Sequence, residues 1–261
     1  MKEDYDCLGV LMTRTELSQY LADYLQVANF KDYAPNGLQV EGKQEIKTIV
    51  TGVTACQALI DEAIKLQADA ILVHHGFFWK SEPEVIVGMK QKRIKALLVN
   101  DINLYGYHLP LDAHPDVGNN AQLGKVLGID NARVIEGQAQ GLIWRGELSV
   151  PVLAKELTHA ISHTLSRECL HLGDESSLVE TIAWCTGGAQ DYIDVAASLG
   201  IDAFISGEAS ERTYHCAVEQ GIQYYGAGHH ATELYGIQAL GRHLATKFGL
   251  THHFVDISNP V

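Results

Sequence analysis

The chain has 261 residues, 46% apolar and 20% charged, enough for one large domain or two modest ones around a filled core. That composition excludes a disordered or collagen-like chain, and no apolar run approaches the roughly 18–20 residues of a membrane span. The formal charge of −13 opposes general attraction to polyanions, so nucleic acid is disfavoured as a partner. The opening MKEDYDCLGVLM is acidic, and its apolar stretch is too short for a secretory leader, so a cytoplasmic protein is expected. Five scattered cysteines without a C-x-x-C pair read as idle thiols in a reducing compartment. Thirteen histidines are the compositional anomaly, and six of them form adjacent pairs: His74/His75, His229/His230 and His252/His253. Imidazole is the commonest metal ligand, which directs attention to these pairs.

Thr13 with Glu16 forms a capping box before Leu17, Leu21 and Leu25 at helical spacing, so ordered structure is expected to begin there. Residues 1–11 then read as a disordered extension, with Met12 as a candidate initiator. Asp32 to Gly42 contains a Pro-Asn-Gly turn, and a turn is all that those residue types require. From Ile46 onward strand and helix alternate: IKTIVTGVT, CQALIDEAIKLQ, DAILVHHG, KQKRIKALLVN, INLYGYHLPLD. The order recurs as TIAWCTG, AQDYIDVAASLG, DAFISGE, SERTYHCAVEQ and IQYYGAGHH, before a closing helix over 231–248. Such alternation predicts mainly parallel sheets covered by helices.

Sliding the chain on itself makes the recurrence quantitative. At an offset of 133, residues 49–76 match 182–209 at eight of 28 positions, including Ile60/Ile193, Asp69/Asp202 and Ala70/Ala203, where average composition gives roughly two. Beyond Gly76 the offset becomes 120, matching Ile102, Tyr105 and Gly106 to Ile222, Tyr225 and Gly226. The difference equals the length of 77–89, which reads as an insertion. The fold class expected is therefore an internally duplicated α/β unit: two lobes with mainly parallel sheets, and a site at the strand C-terminal ends between them. The first copy spans 12–133, a connecting section 134–181, and the second copy 182–261.

In parallel α/β sheets, sites form beyond the carboxyl ends of strands. His74-His75-Gly76 and His108 to Asp112 lie at such ends in the first copy; Gly207-Glu208 and Gly228 to Glu233 do so in the second. Adjacent histidines at a strand end closed by Gly76 can splay toward two points, which suits two ions. His229 and Glu233 share one helix face at i, i+4 spacing. Asp112 and Glu233 each carry two oxygens able to bridge a cation pair. His74, His75, Asp112, His229 and Glu233 together give a mixed N/O set suited to two divalent ions of Zn, Mn, Fe or Ni. His108 is open as a ligand, a supporting group or the catalytic acid/base. His159 and His163 read as a solvated helix face, and His252 and His253 as strand alternation. Lys80, Lys90, Lys92, Arg93 and Lys95 form a basic cluster that reads first as a solvated face and second as an anion anchor.

From Met12 onward, the runs DYAPNGLQVEG, TGVTA, VHHGFFWK, NDINLYGYHLPLDAHPDVGNN, WCTGGAQ, SGE and GAGHHATE resemble the NIF-three-like dinuclear metal-binding proteins. These are labelled GTP cyclohydrolase 1 type 2 homologues, and the short bacterial branch is the nearest likeness. The resemblance implies a toroidal homohexamer with two-metal sites, ligands at His74, His75, Asp112, His229 and Glu233, and a small-molecule substrate of nucleotide type. The expected activity is metal-dependent hydrolysis through a metal-bridging water, in the form of ring opening of a purine nucleotide. The alternative is a non-catalytic metal-binding scaffold or regulatory protein.

Overall fold

The computed structural model describes residues 12–261; the expected extension over 1–11 lies outside the described residues. The chain divides into two compact units, one formed by residues up to His108 together with Leu240–Ile257, the other by Leu109–Ala239 with Ser258–Val261.

In the first unit, Thr13 caps helix α1 (Arg14–Tyr24) with the full capping box, and Leu17, Leu21 and Leu25 are buried. Strand β1 (Met12–Thr13) pairs with β3 (Glu45–Ile46). The main sheet uses β2 (Gly37–Val40), β4 (Thr48–Thr54), β5 (Ala70–His75) and β6 (Asn103–Gly106). It is completed by β13 (Thr251–Phe254), in the order β13-β4-β5-β6-β2. Four strands run parallel and β2 lies antiparallel at the edge. Leu59, Ile60 and Ala63 of α2 (Gln57–Lys65) and Ile94 and Leu97 of α3 (Gly88–Val99) pack on Val50, Ile71, Val73 and Leu104. Burial by helices explains why these strands read as continuous apolar runs rather than alternating ones.

The second unit begins with α4 (Leu109–Ala113) and α5 (Asn119–Val126). Its sheet contains β7 (Asp130–Val134), β8 (Trp144–Leu153), β9 (Leu170–Leu172) and β10 (Leu178–Trp184). With β11 (Ala203–Ser206) and β12 (Gln223–Gly226) the order is β7-β8-β10-β11-β12-β9. Strands β10, β11 and β12 are parallel, and the edge strand β9 is antiparallel to β12, as β2 is to β6. Helices α6 (Ala154–Thr164), α7 (Ile193–Ser198) and α8 (Glu211–Gln220) accompany it, followed by α9 (His229–Phe248). Among the described residues, no helix is long and apolar enough to cross a membrane.

The duplication is visible in hydrogen bonds as well as in order. Asp69 Oδ2 accepts from the backbone N–H groups of Lys47 (2.9 Å) and Thr48 (3.0 Å); Asp202 Oδ2 accepts from those of Glu180 (3.1 Å) and Thr181 (2.8 Å). These donors are related by the 133-residue offset. Asn103 N–H donates to Asp69 O, and Gln223 N–H, 120 residues further on, donates to Asp202 O. The aspartate retained in both copies thus closes the entry to the first central strand. Burial pushes the Asp69 carboxyl up, but Lys43 and the two backbone donors outweigh it and hold it below the usual carboxylate range. Asp69→Ala leaves both N–H groups without their acceptor and is expected to destabilise by about 1–3 kcal/mol, as is Asp202→Ala, in urea unfolding. Because the Asp69 value is lowered, its contribution is present above the unfolded carboxyl pKa and fades as pH falls below it.

One element differs from the sequence expectation. The run INLYGYHLPLD does not continue as strand: β6 stops at Gly106, and Asp112 sits on the short helix α4. Pro110 lacks the N–H a central strand needs and suits the first turn of a helix.

Both histidines of β13 are half-buried. His252 lies against bare Gly241, with Nε2 2.7 Å from Thr51 Oγ1. Burial, followed by the charges of Arg242 and His253, pushes its pKa down to about 4. An unfolded histidine binds its proton near pH 6.5, so this contribution is complete above that value and is lost as pH falls toward 4. Unfolding free energies at pH 7 and pH 5 are expected to differ less in His252→Gln than in the parent.

Candidate metal centre

The first unit supplies a histidine cluster. His74 is 1% exposed at the end of β5. Its Nδ1 lies 3.0 Å from Tyr107 O, and a carbonyl only accepts, so Nδ1 carries the proton and Nε2 the lone pair. His75 Nδ1 is 3.2 Å from Thr54 Oγ1. The two rings are 4.5 Å apart, side by side at the strand end instead of on opposite faces. His108 stands 5.1 Å from the His74 ring and 5.8 Å from that of His75. One ligand atom from each of the three lies within 4.8 Å of the others, a spacing open to a metal ion.

Gln39 explains why Gly76 follows the pair. Its Oε1 accepts from Phe77 N–H (2.7 Å), and a Cβ on Gly76 would meet that oxygen at 2.2 Å. The NGLQV segment is therefore stapled to the strand end. Lys80 donates to Asp32 O, tying the insertion to the DYAPN turn, and Lys90 donates to Pro83 O within the insertion, so two members of the basic cluster have structural partners. Lys92 and Lys95 lie on the exposed face of α3.

The second unit supplies two buried carboxylates and an imidazole. Asp112 is 6% exposed; its Oδ1 accepts from Asn119 Nδ2 (2.8 Å) and lies 3.3 Å from Thr186 Oγ1. Asn119 turns its own Oδ1 to Gly236 N–H, tying α5 to α9. Glu233 is 2% exposed, with Oε1 3.3 Å from His229 Nε2, while His229 Nδ1 is 2.7 Å from Glu208 Oε1. Burial works against a charged His229, yet Glu233 and then Glu208 outweigh it and raise its pKa to about 9. Gly187 has φ +68°, which favours glycine, and a Cβ there would meet Glu233 Oε1 at 2.2 Å, so any other residue would displace this carboxylate. Burial holds the Cys185 thiol well above its ordinary pKa, with Asp112 and Glu233 adding to the effect; it stays a neutral wall.

The first unit's imidazoles with one ring nitrogen already engaged, and the second unit's imidazole and buried carboxylates held by Asn, Thr and His, are the donor types of an N/O ligand set for a divalent transition metal. Within their own units, the structure brings His74, His75 and His108 together, and His229 with Glu233. His159 and His163 are exposed on α6, as expected of a solvated face, and His230 is buried with its backbone N–H on Val261 O. Sequence reasoning missed Asp32, Asn36, Gln39, Asn119 and Thr186. Their only signal is their position in the runs DYAPNGLQ, GNN and CTGG.

Comparison with known proteins places these features in a family. The chain is 56% identical over 252 residues to a Vibrio cholerae protein named GTP cyclohydrolase 1 type 2 homolog, covering 96% of this chain and all of that one. An Escherichia coli K12 protein of the same name is 55% identical over 250 residues, covering 95% and 100%. Among solved structures, protein ybgI, titled as of unknown function, superposes with a TM-score of 0.91 at 55% identity, covering 96% of this chain and 100% of that one. A Thermus thermophilus protein gives 0.86 at 33% identity, again covering 96% and 100%. The family model for Duf34/NIF3 (NGG1p interacting factor 3) matches residues 12–260, so the chain belongs to the Duf34/NIF3 family.

Proposed function

We propose that the chain is a dinuclear metal-dependent hydrolase in which His74, His75, Asp112, His229 and Glu233 together hold two divalent cations of the Zn, Mn, Fe or Ni type. The observation carrying this reading is that all five donor side chains are buried or half-buried and four of them are oriented by a second group: Tyr107 for His74, Thr54 for His75, Asn119 for Asp112 and Glu208 for His229. Such outer partners cost binding energy to assemble and are typical of ligand sets. When bound, a pair of divalent ions polarises the bond under attack and makes water more acidic near neutral pH. The chain's own residues then divide the work. Asp112 and Glu233 supply negative charge, His74 and His75 supply neutral nitrogen, and His108, beside them, accepts or returns a proton.

The substrate class favoured is a small molecule of nucleotide type, opened hydrolytically at a purine ring, in line with the name carried by the relatives. Assembly as a homohexamer belongs to the same reading and is checked by native mass spectrometry. The test of activity incubates protein loaded with Zn, Mn, Fe or Ni with a panel of nucleotides and cyclic amides. Metal-dependent turnover that disappears in Asp112→Ala is the expected result. Full turnover in that variant overturns the assignment. Loss of stability on metal removal without any turnover favours a metal-binding scaffold instead.

A further inference from the structure

His108 is held from two directions by a turn 72–76 residues away in sequence. Its Nδ1 is 2.8 Å from Asp32 Oδ1, and its backbone N–H donates to Asn36 Oδ1 at 2.7 Å. Asn36 Nδ2 donates to Asp32 Oδ2 at 2.8 Å, closing a ring of three residues that runs through the ring and the backbone N–H of His108. The Asp32 side chain is only 4% exposed, although it sits on a surface turn. The turn is itself anchored: Lys80 Nζ donates to Asp32 O (2.5 Å), and Lys80 N–H donates to Tyr33 O (2.8 Å). Trp79 sets its ring edge-on to His108 at 4.9 Å and is itself held by donating Nε1–H to Gly76 O.

We propose that Asp32 is the positioning residue of the site, fixing His108 as the Nδ1–H tautomer so that Nε2 carries its lone pair beside His74 and His75. A carboxylate has no proton to donate, so an imidazole nitrogen facing it keeps the proton, and the other nitrogen is left basic. Asn36 adds what a single hydrogen bond cannot: it holds the backbone of His108 and the second oxygen of Asp32, so neither partner can rotate away. The turn DYAPN is thereby assigned a task at the site, and the insertion that anchors it is assigned the task of holding the turn. The inference rests on the reading of His108 as the proton-handling group, but its geometry is complete without any ion.

The experiment is a two-bond ¹H–¹⁵N correlation spectrum of metal-free, full-length protein labelled at histidine, with the signals of residue 108 identified by their loss in His108→Gln. The wild type is expected to show Nδ1–H at His108. Asp32→Asn is expected to keep that tautomer, because the amide oxygen accepts as the carboxylate did, whereas Asp32→Ala moves the proton to Nε2, the tautomer an unconstrained imidazole favours. Nδ1–H retained in Asp32→Ala, or Nε2–H in the wild type, overturns the inference. If Asp32→Ala does not fold, Asn36→Ala takes its place and is expected to give a mixture of the two tautomers; a spectrum unchanged from wild type then overturns it. Zn²⁺ titration of the same proteins separates the two readings. A wild type that binds no Zn²⁺ but shows the expected tautomer pattern fails the metal-centre proposal alone, and one that binds Zn²⁺ with the wrong tautomer fails this one alone.

Discussion

Replacement of Glu233 by alanine is expected to weaken binding of Zn²⁺ or Mn²⁺ by more than about 100-fold, the upper end of what loss of a mere outer-shell partner costs. Glu233 is nearly inaccessible, sits where a side chain on Gly187 would displace it, and lies 3.3 Å from the nitrogen of His229 that would face an ion. In the metal-free protein both nitrogens of His229 face carboxylates, and its pKa of about 9 means that the ring is an imidazolium at neutral pH. An ion needs the lone pair, so binding at pH 7 must displace that proton. Calorimetric titrations in buffers of different ionisation enthalpy are expected to show release of about one proton from this residue. In Glu233→Ala the larger of the two supports for the imidazolium is gone, and proton release at pH 7 shrinks with it. The sign for stability follows. In the metal-free state the His229 contribution is full below the unfolded histidine value and declines as pH rises through about 9. Affinity and proton count unchanged in the variant would remove Glu233 from the centre.

The largest effect on stability is expected at Trp184, where substitution by alanine should cost about 3–5 kcal/mol in urea unfolding. This side chain is fully buried at the end of β10, against Gly124 of α5 and 6.2 Å from the Trp144 ring. A cavity of that size cannot collapse where Gly124 already brings helix backbone into contact. Trp184 also reaches the site. Its Nε1–H donates to Asn120 O at 2.9 Å, and Asn120 in turn accepts from Thr186 N–H and donates to Asp112 O. Trp184→Phe keeps most of the volume but drops that hydrogen bond. It should therefore cost less stability while still loosening Asp112, read as weaker metal binding at little change in midpoint. Equal loss of both properties in the two variants would show that the tryptophan only fills space.

Much of the fold was legible because it is written twice. Strand and helix periods identified the alternating elements, and the 133-residue offset paired Asp69 with Asp202. The structure shows that these two residues bind equivalent backbone donors. The capping box at Thr13 and Glu16 was readable for a similar reason: both partners lie within one turn of chain. The extension of strand into INLYGYHLPLD failed where a single proline changed the backbone options. Candidate donors were readable as types at strand ends, since imidazole pairs and an i, i+4 His-Glu spacing are local patterns.

What the sequence determined by itself is what short-range physics encodes: the element periods, the caps, the repeat, the family likeness and the residue types able to bind a metal. The tertiary structure alone decided which partner each of those residues meets. Asp32 and Asn36 reach His108 across more than 70 residues, and Asn119 binds both Asp112 and, 117 residues on, the backbone of Gly236. β13 returns to pair with β4 after the second sheet is complete. Hydrogen bonds and charge pairs act over a few ångströms in space whatever their separation along the chain, so a local pattern can name a donor but cannot say which acceptor folding will bring to it.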